Sequence, residues 1–102
     1  MKSYPIKLSN YGEYLTGRTK AKIMVQDAKG NVSGISAYQI ILDFEGVHAF
    51  AQSFCSELLF QLMEADISLE NIVWENLGQA HWGERLSSEV EFLSKMKAAS
   101  TI

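Results

Sequence analysis

The chain has a single cysteine, Cys55, so no disulfide can form within it and a reducing compartment is its expected home. Proline is nearly absent, with Pro5 alone, and glycine is limited to seven positions in 102 residues; no low-complexity tract, internal repeat or interdomain linker can be read. No apolar run approaches the roughly 20 residues of a membrane-crossing helix. The opening Met1-Lys2-Ser3-Tyr4-Pro5 lacks the apolar centre of a signal peptide. These absences predict a cytoplasmic protein with no membrane association. Positive charge is also short: nine Lys and Arg stand against twelve Asp and Glu, giving a net charge of −3. Such a chain has no overall field to draw it to nucleic acid or an anionic membrane. Its one cationic cluster, Arg18, Lys20 and Lys22, reads as a solvated helix face. Paired histidines, Cys-x-x-Cys and glycine-rich phosphate loops are missing, so no metal, cofactor or catalytic residue is expected.

What remains is the balance of a folded domain, 47% hydrophobic and 21% charged, and residues 1–102 read as one domain. Ile6 and Leu8 alternate with Lys7 and Ser9 as a short first strand. Pro5 cannot donate a ladder hydrogen bond and belongs at an edge or strand start. Tyr11 to Tyr14 reads as a turn or brief strand. Ala21, Met24, Val25 and Ala28 follow helical spacing, with Thr16 as N-cap and Gly30 and Asn31 as terminators, so Ala28 to Ala37 reads as a loop. Tyr38 to Phe44 is the clearest strand. Its unbroken Ile40-Ile41-Leu42 is expected of a strand covered on both faces.

The strongest periodicity follows, with Phe54, Cys55, Leu58, Leu59, Leu62 and Met63 on one helical face. Asn71 to Glu75 reads as a third main strand, with Trp74 in the core. Ser88 with Glu91 resembles a capping box opening a last helix, in which Val90, Leu93 and Met96 point inward. Glu89 and Glu91 near its start and Lys95 and Lys97 near its end would complement the helix dipole. Alternating strands and helices predict an α/β sandwich, a mixed or mostly parallel sheet with helices packed on it and an antiparallel edge near the amino terminus.

Leu42-Asp43-Phe44-Glu45-Gly46-Val47, then Gln52-Ser53-Phe54 and Glu57-Leu58, resembles the STAS-like domain family of unknown function. Arg18, Ala21 and Asn76 also fit its pattern, so the resemblance covers roughly residues 15–76. The family is similar to the STAS domains of anti-sigma-factor antagonists. There a strand leads to Asp-Ser-Ser-Gly at a helix start, and phosphorylation of a serine switches partner binding. That serine position falls on Ser53, while Ala51, Gln52 and Phe54 stand where those domains have aspartate, serine and glycine. The resemblance implies a regulatory protein-interaction module, with a histidine-kinase-type ATPase as one candidate partner.

Each candidate residue has a plain reading beside the functional one. Ser53 is a phosphorylation or anion site at a helix start, or simply the helix cap. Ser53, Glu57, Phe60 and Glu64 follow the spacing i, i+4, i+7, i+11 opposite the apolar stripe, as a partner-docking row or an ordinary solvated face. Asp43 ends a buried strand, where it could bind a metal, act as a base or accept backbone N–H bonds in the loop. With His48 and Gln52, and with His81 further on, it marks an alternative small-ligand or nucleotide crevice. Cys55 lies on the inward stripe, which argues for a core residue over a nucleophile. Trp82, within Gln79 to Arg85, either closes the core or marks a contact surface.

Overall fold

Three parallel strands in the order β1 (Lys2–Lys7), β3 (Tyr38–Asp43) and β5 (Ile72–Glu75) form the main sheet. The structure is a computed structural model, and it describes residues 2–32 and 38–100. A 3-10 turn (Leu8–Tyr11), a two-residue strand β2 (Tyr14–Leu15) and helix α1 (Arg18–Val32) connect β1 to β3. A second two-residue strand β4 (Ala49–Phe50), helix α2 (Gln52–Glu64) and a 3-10 turn (Leu69–Asn71) connect β3 to β5, and α3 (Ala80–Ser100) completes the order. Both crossovers step the same way across the sheet. Right-handed connections then put α1 and α2 on one face, and these helices pack along each other.

The register explains which side chains are core. Tyr4, Ile40 and Ile72 align in one row, and Ile6, Leu42 and Trp74 in another; Ile6, Ile40, Leu42 and Ile72 are buried, with Tyr4 and Trp74 packed against them. The intervening row, Pro5, Ile41 and Val73, lies on the opposite face. Ile41 is half-buried there, so the expected cover on both faces of β3 is only partial: the two crossover helices share the other side. Pro5 sits within an edge strand, as its missing N–H requires. The expected antiparallel edge is absent among the described residues. The amino-terminal strand pairs parallel with β3, and β2 pairs parallel with β4.

Several element ends differ from their sequence signals. Strand β1 begins at Lys2, and Leu8 has passed into the 3-10 turn. Helix α1 starts at Arg18, directly after Gly17 at φ 83°, a left-handed turn that glycine adopts cheaply; Thr16 lies one residue too early to be its cap. It also runs through Gly30 and Asn31, because Val32 extends the buried stripe of Ala21, Met24, Val25 and Ala28. Burying a valine is worth about 1.5–3 kcal/mol, more than the roughly 1 kcal/mol cost of a helical glycine. The rest of the loop expected there, residues 33–37, lies outside the described residues.

Helix α2 ends in a reversal with paired backbone bonds, Asp66 N–H to Met63 O at 3.1 Å and Ile67 N–H to Leu62 O at 3.0 Å. Asp66 takes φ 63° and Ile67 is buried behind it, the apolar contact that accompanies this type of C-cap.

Helix α3 opens at Ala80, so Ser88 and Glu91 are mid-helix residues and not a capping box. The extra turns are anchored by Trp82 and Leu86, buried in line with Leu93. Those side chains outweigh a cap worth about 1 kcal/mol. Met96 is 45% exposed instead of inward-facing, because the buried stripe runs through Leu86 and Leu93. No helix among the described residues is long and apolar enough to cross a membrane.

Trp82 closes the core. Its ring lies 5.9 Å from Phe44 and 5.0 Å from Phe50, and it is only 3% exposed. Trp82→Ala should lower the unfolding free energy by about 3–5 kcal/mol in urea titration. A loss below about 1 kcal/mol would show that the ring does not bear on the core.

Candidate functional site

The first turn of α2 has no side-chain cap. Ala51 occupies the N-cap position with φ −79° and ψ 152°, and Ser53, two residues later, is exposed and does not cap the helix. The role expected of a cap is replaced by a bridge between helices. Gln52 Nε2 donates to Glu89 Oε1 at 2.7 Å, and Ser56 Oγ donates to the same oxygen at 2.9 Å. Hydrogen bonds to a carboxylate are stronger than neutral ones, so this pair fastens the start of α2 to the middle of α3.

The row Ser53, Glu57, Phe60, Glu64 does not face open solvent throughout. Ser53 and Glu64 are exposed, but Phe60 is half-buried and the Glu57 side chain retains 10% exposure. Glu57 lies 3.5 Å from Arg18 Nη1 and accepts a 2.9 Å bond from Gln61 Nε2. Arg18 remains solvent-exposed, as expected of the cationic face, and its guanidinium also reaches the nearly buried Glu57. Across from this row stand Phe92 and Met96, 57% and 45% exposed, one turn apart on α3.

Between the two helices runs a groove made of two adjoining hollows. The first, about 330 Å³, includes Arg18, Ser53, Glu57, Phe60, Phe92 and Met96. The second, about 370 Å³, is lined by Phe60, Met63, Glu64, Asp66, Met96 and Lys97. Phe60 and Met96 line both, so the hollows lie side by side along the α2–α3 seam with these two side chains between them. Of the large apolar side chains exposed among the described residues, Phe92 and Met96 alone share a helix. Sequence periodicity had marked the α2 half. The α3 half depends on which face α3 buries, because Trp82, Leu86 and Leu93 turned inward leave Phe92 to one side.

The second candidate, at the end of β3, has a different character. Asp43 Oδ1 accepts the Glu45 N–H at 3.0 Å and Asn76 Nδ2 at 2.8 Å, which hold its carboxyl below the usual aspartate range, the Asn76 bond contributing most. It therefore organises two turns at once. Gly46 follows at φ 86°, where an added Cβ would come within 3.1 Å of the Ser9 Cβ. His48 is exposed and stacks on Tyr14 with ring centres 5.6 Å apart, while its Nε2 lies 3.8 Å from Glu13. Gln52 turns to α3, and His81 is exposed near the α3 start. Asp43, His48 and Gln52 thus each engage a different element. Among the described residues no group of three or more His, Cys, Asp or Glu is placed to hold a metal ion.

Cys55 is 1% exposed on the inner stripe of α2. Burial pushes its thiol up to about 12, with the Glu89 charge adding to the effect and Arg85 opposing it. A thiol held in that state is a weak nucleophile at neutral pH.

Residues 36–82 match the family model of the STAS-like domain of unknown function. The matched span holds β3, β4, α2 and β5 and ends on Trp82, while Arg18 and Ala21 lie before it. No curated protein and no solved structure matches the chain.

Asp43 sets a pH dependence whose sign follows from its lowered pKa. Its stabilisation is fully present above the ordinary value of 3.8 and is lost as pH falls through the lower folded value. Urea titrations across the acid range should show Asp43→Asn with a shallower loss of stability than the wild type; identical slopes would remove Asp43 from the account. Separately, iodoacetamide should label Cys55 in denaturant and leave it unmodified in the folded protein at neutral pH. Rapid labelling of the folded protein would contradict the burial.

Proposed function

We propose that this protein is a non-catalytic regulatory module that binds a protein partner through the α2–α3 groove, with Ser53 as its switch. The single observation that carries the reading is the pairing of exposed Phe92 and Met96 with Phe60 around one hollow. Large apolar side chains gathered at one exposed place mark interaction surfaces more than scattered ones do. Aromatic anchors in such a patch supply much of the binding energy of an interface. The resemblance to anti-sigma-factor antagonists supports a histidine-kinase-type ATPase as the partner class.

The switch follows from local charge. A phosphate on Ser53 would add about −1.5 to −2 charges in the first turn of α2, where helix N–H groups favour anions. Arg18 lines the same hollow, but its guanidinium already faces Glu57 at 3.5 Å. The phosphate would compete for Arg18 and leave the nearly buried Glu57 with less compensation. One modification would thereby change both the rim charge and the groove wall.

Affinity capture from native lysate with quantitative mass spectrometry tests the reading. Wild type, Ser53→Glu, Phe60→Ala and Phe92→Ala serve as baits, with circular dichroism confirming that each is folded. Phe92→Ala and Phe60→Ala should each lose the same captured protein by about tenfold or more, and Ser53→Glu should change its recovery. Identical captures from all four baits would exclude this surface.

A further inference from the structure

Resting on that interaction reading, we infer that the groove accepts a basic amphipathic helix of the partner protein, about four turns long. The two hollows follow α2 from Ser53 to Asp66, just past the end of the helix. At about 1.5 Å per residue this is a track of about 20 Å, matched by roughly 13 helical residues. Phe60 and Met96 separate its two hollows, which would receive apolar side chains one or two turns apart on the occupant. Helices bound in grooves present their anchors at such spacing. Met63 and Met96 give the floor adaptable surface, and Met-rich grooves accept helices of varied sequence.

The charge on the rim selects the sign of the occupant. Carboxylates of Glu57, Glu64, Asp66 and Glu89 line the two hollows, against the cations of Arg18 and Lys97. Arg18 is already engaged with Glu57. Glu89 at one end accepts its hydrogen bonds from Gln52 and Ser56, both neutral. At the other end the exposed Glu64 and Asp66 share their hollow with the one cation of Lys97, which leaves an excess of negative charge there. A helix carrying Lys or Arg beside its apolar stripe meets a carboxylate at each end, and its long aliphatic stems cover the methionines between them. An acidic helix would meet repulsion in the same places.

Fluorescence anisotropy with two labelled peptides tests this. One probe of about 18 residues carries Leu at i, i+4, i+7 and i+11 with Lys elsewhere, and the other replaces every Lys by Glu. The full chain should bind the Lys probe at least about tenfold more tightly than the Glu probe. Phe92→Ala should weaken the Lys probe about tenfold, and so should Glu64→Lys combined with Asp66→Lys. Glu45→Lys combined with Glu70→Lys changes net charge equally at exposed positions outside the groove and should leave binding unchanged.

Equal affinity for both probes, or equal weakening by the two charge-reversed pairs, would overturn the inference. If Phe92→Ala abolishes capture of the native partner while the Lys probe ignores Glu64 and Asp66, the interaction reading stands and the basic helix fails. If neither capture nor the probe responds to Phe92→Ala, both fail. Concentration-dependent self-association reversed by Phe92→Ala would assign the groove to a second copy and likewise overturn the inference.

Discussion

The contact of Trp82 with Phe44 and Phe50 ties the carboxyl-terminal helix to the loop that leaves the central strand. The three rings meet at centroid separations of 5.0 to 5.9 Å, tilted or edge-on, the arrangements that aromatic quadrupoles favour. Arg85, one turn on from Trp82, places its guanidinium 5.0 Å over the Phe50 ring and donates to the Phe50 carbonyl at 2.9 Å. Helix α3 is thus fixed to the segment just before α2 begins. Its direction along α2, and therefore the groove between them, depends on this junction.

A second tie lies about one turn further along α3. Glu89 receives Gln52 and Ser56 from the start of α2, which brings the two helices together at the head of the groove. Beyond it, Leu93 remains buried while Phe92 and Met96 turn outward. The groove is a by-product of secure packing upstream and incomplete packing downstream.

The fold was largely legible. The apolar spacing in α1 and α2, the unbroken apolar run of β3 and the alternation of strands with helices each follow from local periodicity. The motif from Leu42 to Leu58 was also legible, and Asp43 holds the loop with Asn76 as a strand-end carboxylate can. The extent of α3 was not. Ser88 and Glu91 form a valid local cap signal, but burial of Trp82 and Leu86 overrides it by carrying the helix further back. A cap is worth about 1 kcal/mol, whereas two large core side chains contribute several.

From the sequence alone came the α/β order of elements and the inward stripe of α2 with Cys55. These depend on residues three or four apart, which one helix brings together without help. Tertiary structure alone decided that Ser53 is not the cap, that Arg18 serves Glu57, and that Trp82 is core while Phe92 and Met96 line a groove. Arg18 and Glu57, like Gln52 and Glu89, are more than 30 residues apart in the chain. Only the packing of α1, α2 and α3 makes them neighbours, and no local period encodes a contact at that range.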